Sequence, residues 1–122
     1  MTGLLVAVAA FAGAVCRYLV DVAVQRRTDA ALPLGTLTVN LTGSLGLGFV
    51  VGLGLHHGLD DNVHTIAGAG FLGAYTTFST FAYETVRLVQ DGSTFEAFAN
   101  AAASSVLGLA AAGAGLGLAA AL

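Results

Sequence analysis

The 122-residue chain has no lysine or tryptophan, a single cysteine, a single proline and only 9% charged residues. Each shortage excludes something. Cys16 alone can form neither an intramolecular disulfide nor a cysteine-only zinc cluster. Four arginines against seven acids, a net charge of -3, leave no basic face for nucleic acid. Pro33 being the only proline, long helices meet few obligatory breaks. Soluble domains carry about 25% charged residues, so this chain lacks the polar surface to cover a ball in water.

What is present points to a bilayer. Hydrophobic residues make up 57% of the chain and glycine contributes 17 residues, with a mean hydropathy of +0.86. A helix needs about 20 mostly apolar residues to cross the hydrocarbon core. Four stretches qualify, at approximately 4–24, 36–55, 65–89 and 95–122. The expected fold is an all-α membrane protein with four transmembrane helices forming one unit over 1–122. The connections are short and polar, and Ser93 or Thr94 is a candidate cap for the last helix. The first apolar run lacks a basic leader and a small-residue cleavage site, so it reads as a retained helix rather than a signal peptide. Arg26, Arg27 and Arg87 would place the first and third connections in the cytoplasm.

Polar groups inside a span are costly and mark function by default. Arg17 and Asp21, four apart, share a helix face; they read either as a self-satisfied ion pair or as a cation at the mouth of an aqueous vestibule. In the second span Thr36, Asn40, Ser44, Gly48 and Gly52 recur every four residues. That stripe is either a packing seam with Asn40 as interhelical glue or a polar track whose amide N–H groups face an anion.

The third span is the most informative. Thr76, Thr77, Ser79 and Thr80 place four hydroxyls within five residues, just after Gly68, Gly70 and Gly73. Glycines weaken the helix there, so the expectation is a broken helix whose freed carbonyls line a site or bind a cation. Phe78 and Phe81 share a face and offer electropositive ring edges. Glu84 follows one turn later and, if embedded, needs a partner or water.

Other patterns carry less. Gly68 to Gly73 matches GxGxxG, but no strand precedes it. His56, His57, Asp60, Asp61 and His64 read as a short soluble loop rather than a metal site. Gly113 and Gly117 repeat a GxxxG spacing that marks helix packing.

Three motifs together resemble the Fluc/CrcB fluoride channel family. Gly13-Ala-Val-Cys-Arg17-Tyr18 is similar to its G-A-x-x-R-Y start, and Pro33 to Asn40 with Gly43 resembles its P-x-G-T-L-x-V-N-x-x-G segment. Gly70 to Phe81, followed by Glu84, resembles its most diagnostic run. The resemblance implies a fluoride-selective channel for passive export across the plasma membrane. It implies an antiparallel, dual-topology dimer with a second copy or a paralogous subunit, and a structural Na+ at its centre held by main-chain carbonyls of Gly73 and Thr76. By the same resemblance Asn40, Ser79, Thr36 and Ser104 would donate hydrogen bonds along the fluoride path. Phe78 and Phe81 would flank it, Arg17 would stand in the vestibule, and Glu84 has no settled role. Where the family often has a tyrosine, this chain has Asn100, four residues before Ser104. A proton-coupled small multidrug transporter and a non-conducting assembly subunit are the alternatives; no enzyme is expected.

Overall fold

In hydrocarbon the backbone must satisfy its own N–H and C=O groups, which leaves helices as the outlet for long apolar runs. The computed structural model describes residues 1–122, and every regular element in it is helical. They are α1 (Thr2–Gln25), α2 (Leu34–His57), α3 (Asp61–Thr65), a π-helical stretch π1 (Ile66–Leu72), α4 (Gly73–Tyr75), α5 (Phe78–Gln90) and α6 (Thr94–Ala120). Helices α1, α2 and α6 are each long and apolar enough to cross a membrane. The remaining traverse, 61–90, is assembled from four consecutive pieces.

The ends explain where the sequence reading shifts. The third traverse starts at Asp61 rather than 65, because the Asp60 carboxylate accepts from the N–H groups of Asn62 (2.9 Å) and Val63 (3.3 Å). Residues expected in a loop thus form a capped first turn. Gly58 (φ 65°) ends α2, its N–H bonding Leu53 O. Gly92 (φ 82°) reverses the chain after α5 and lets Ser93 N–H reach Leu88 O at 2.8 Å. Ser93 occupies the N-cap position of α6 but its hydroxyl makes no cap bond, contrary to expectation.

Packing follows the small residues. Helix α2 lies along α6, and a Cβ at Gly48 would collide with Ala112 O, one at Gly115 with Leu45 O. Gly52 faces Ala119. The seam on α6 is therefore Gly115 and Ala119, not the expected Gly113 and Gly117, which meet no neighbouring atoms. Two residues along a helix turn the side by about 200°, so two interleaved small-residue rows are indistinguishable until the partner is placed. Helix α1 crosses π1, with Gly13 against Phe71 O and Gly70 against Val6 O. The π-helical turns coincide with Gly68 and Gly70, where the sequence predicts a weakened helix.

Candidate functional site

The helix breaks at two residues. Thr76 (φ -79°, ψ 162°) and Thr77 (φ -149°, ψ 125°) are extended between α4 and α5. An extended dipeptide inside a membrane domain has backbone groups to satisfy; Thr76 N–H bonds Leu72 O at 3.0 Å, and Asn40 from α2 supplies both partners of Thr77. Its Oδ1 accepts from Thr77 N–H at 2.8 Å and its Nδ2 donates to Thr77 O at 2.8 Å. The Thr77 hydroxyl oxygen then caps α5 by accepting from Thr80 N–H at 3.2 Å. Close approach of α2 at this level depends on Gly43, where a Cβ would collide with the Thr76 methyl. On the far side of the break Tyr75 is buried, stacked on Phe71 (6.0 Å between ring centres) and bonded to Thr42 Oγ1 at 2.9 Å.

The break frees carbonyl oxygens. In a continuous α-helix Thr77 N–H would bond Gly73 O and Thr80 N–H would bond Thr76 O. Both donors are diverted, to Asn40 Oδ1 and Thr77 Oγ1 respectively. Arg17 Nη1 donates to Thr76 O at 3.3 Å. The Arg17–Asp21 ion pair weighed from the sequence is not formed; the one ion pair is Arg87–Asp91 at 3.9 Å on the exposed surface. Two main-chain oxygens without their helical donors are the right chemistry for a hard cation such as sodium. Arg17 takes one of the two lone pairs of Thr76 O.

Beside the break lies a groove of about 320 Å³. Asn40, Gly43, Ser44 and Leu47 line it from α2, Thr76, Thr77, Phe78 and Phe81 from the broken traverse, and Ser104 and Ser105 from α6. Asn40, Phe78, Phe81 and Ser104, widely separated in sequence, are thus brought together. The Phe78 and Phe81 rings stand 5.7 Å apart and tilted by 53°. Phe78 is 78% exposed.

Three candidates stand apart from the groove. Ser79 is exposed and hydrogen-bonded to Thr77 Oγ1 at 3.3 Å. Thr36 is buried and donates to Glu84 Oε1 at 2.9 Å. Arg17 is engaged at Thr76 O. Glu84 Oε2 is buried without a partner, and Glu84 borders a second recess of about 370 Å³ with Asp21, Gln25, Pro33, Arg87 and Asp91. Asn100 is 3% exposed and donates to Thr85 Oγ1 at 2.8 Å, so it is an interhelical tie rather than a groove residue. Sequence reasoning missed Ser105 and Thr85. The first had its neighbour Ser104 as a signal, the second its place one turn beyond Phe81.

Residues 4–116 match the family described as CrcB-like protein, Camphor Resistance (CrcB). A Streptomyces avermitilis protein named fluoride-specific ion channel FluC 1 is 46% identical over 122 residues, covering 100% of this chain and 98% of its own length. One from Mycobacterium tuberculosis H37Rv, named FluC 2, is 52% identical over 100 residues, 82% of this chain and 76% of its own. A Frankia casuarinae FluC 1 is 45% identical over 124 residues, 98% and 96% of the two chains. The resemblance read from three motifs therefore extends along nearly the whole sequence, and this multi-pass membrane protein belongs to the CrcB family.

Proposed function

We propose that this protein is a fluoride-selective channel of the plasma membrane, exporting fluoride passively and so limiting its toxicity. The observation that carries the reading is the Asn40 clamp on the broken helix, set beside a groove of hydroxyls and phenylalanine edges. That relatives are named fluoride-specific ion channels supports fluoride as the ion.

Fluoride is small and holds its water tightly, so a selective path must replace water with closely placed N–H and O–H donors. Asn40 has two Nδ2 hydrogens and spends one on Thr77 O. The second is free for an anion in the groove, and the Ser104 hydroxyl faces the same space. Ring edges of Phe78 and Phe81 add a weak positive field without the tight grip of a full cation. Thr36 and Ser79 would join the path by exchanging the bonds they make to Glu84 and Thr77 for bonds to the ion. Arg17 keeps four of its five N–H donors beyond the one on Thr76 O, which suits a residue that concentrates anions.

The pore needs a second subunit, in an antiparallel dimer of this chain with itself or with a paralogue. Only 14 of 122 residues are buried, and the polar groove is open along one side. Hydroxyls and an amide facing lipid tails are costly, so a protein surface has to close the groove. The freed carbonyls of Gly73 and Thr76 would hold a structural Na+ at the dimer centre; its positive charge would steady the break and favour anions nearby.

The test is fluoride efflux from liposomes holding only this protein, followed with a fluoride electrode beside a chloride control. Rapid fluoride release without chloride is expected. Silence that persists after Na+ and a paralogous subunit have been supplied would overturn the reading.

A further inference from the structure

Asn100 is the one polar side chain of α6 that is fully withdrawn from its surroundings, and it reaches across to α5. Its Nδ2 donates to Thr85 Oγ1 at 2.8 Å, and Thr85 in turn donates to Phe81 O at 2.8 Å. The relay ends on the backbone of the residue whose ring lines the groove. A threonine hydroxyl bonding its own i-4 carbonyl is a local matter. An amide from another helix bonded to that hydroxyl makes it a tertiary restraint. No other side-chain hydrogen bond fastens α5 to α6, and apolar contact alone drives helix association weakly in lipid. One turn further along α6, Ser104 lines the groove opposite Phe81, so the same face that holds α5 also faces the path.

We propose that Asn100 and Thr85 are positioning residues that fix the rotation of α5, and with it the depth at which the Phe81 ring edge stands in the groove. They do not touch the ion. The inference deepens the channel reading and rests on it for its effect on transport, but the placement of the ring is a property of the protein alone.

The experiment compares Thr85→Val, which removes the hydroxyl at nearly constant volume, with Thr85→Ser, which keeps it, and adds Asn100→Leu. Two readouts are taken on each protein in liposomes: fluoride and chloride efflux, and fluorine NMR of a para-fluorophenylalanine replacing Phe81. Thr85→Val and Asn100→Leu are expected to shift the ring resonance alike. Both should lower fluoride efflux about tenfold, the scale of one buried hydrogen bond, and narrow its margin over chloride. The Thr85→Ser protein should match the parent in both readouts, and joining Thr85→Val to Asn100→Leu should add little to either alone. Unmoved resonances in the Thr85→Val and Asn100→Leu proteins, or equal losses in Thr85→Val and Thr85→Ser, would overturn the proposal. A parent that releases no fluoride even with Na+ and a paralogous subunit supplied would instead overturn the channel reading, and the ring resonances would still decide this one.

Discussion

At the scale of single residues, Asn40 does for the broken helix what a neighbouring strand does in a sheet. It pairs with both backbone groups of Thr77 at 2.8 Å. Asparagine is the side chain for this because one end donates and the other accepts. Aspartate keeps the acceptor but loses the donor and sets a carboxylate against Thr77 O. The Asn40→Asp protein should lose about 1–3 kcal/mol, the cost of an orphaned buried carbonyl. It should also lose most fluoride efflux; a melting curve in detergent and the efflux assay check the two parts. Phe81→Ile separates them, with efflux impaired and melting little changed, since it removes a ring from the groove and leaves the clamp intact. Asn40 was legible as a polar residue on a span face, but its bond to Thr77 was not. They stand 37 positions apart, and only the docking of α2 on the third traverse sets them opposite each other.

At the scale of elements, glycine sorts the helix faces. Gly48 and Gly115 sit where the opposing backbone leaves no room for a Cβ, whereas Gly113 and Gly117 face open space on the protomer. Gly48→Val and Gly115→Val should each destabilise by about 1–3 kcal/mol through overpacking. Gly117→Ala should instead hold or raise stability, since alanine is the better helix former by about 1 kcal/mol. Thermal melting of the three purified variants gives the ranking; equal losses at all three would mean that the α2–α6 seam is misplaced. Helix number and approximate spans were readable because hydropathy and length suffice for them. The broken helix was readable too, because glycines and clustered hydroxyls both disfavour a continuous ladder. Which of two small-residue rows forms the seam was not, because both rows carry the same spacing and differ only in what lies opposite. The capped turn at Asp60 was missed for a simpler reason: a polar loop and the start of a helix share a composition.

At the scale of the whole molecule, the surface is largely apolar. Large apolar side chains such as Phe11, Phe95, Phe98 and Leu109 are exposed along its length, as lipid or a second subunit would require. Charge gives little guidance on orientation, since Arg26 and Arg27 after α1 and Arg87 in the last turn of α5 are the arginines nearest the connections, and Asp29 and Asp91 lie beside them. So lean a bias fits a chain that inserts both ways. A Thr94→Cys substitution at the exposed start of α6, in a Cys16→Ser background, should react with a membrane-impermeant thiol reagent to about half from outside intact cells. Complete labelling or complete protection would exclude dual topology.

The break also divides the third traverse mechanically. Its first half, 61–75, packs on α1, and its second half, α5, leans on α6. Between them are two extended residues: Thr76 N–H closes the last rung of the first half on Leu72 O at 3.0 Å, Arg17 donates to Thr76 O, and Thr77 is pinned to α2 by the Asn40 amide. The traverse therefore cannot act as a rigid lever. A tilt of α1 under a change in bilayer thickness would be taken up at Thr76–Thr77 before it reached Phe78 and Phe81. The rings of Phe78 and Phe81 are in this sense suspended from α2 and α6, insulated from strain entering through the first helix.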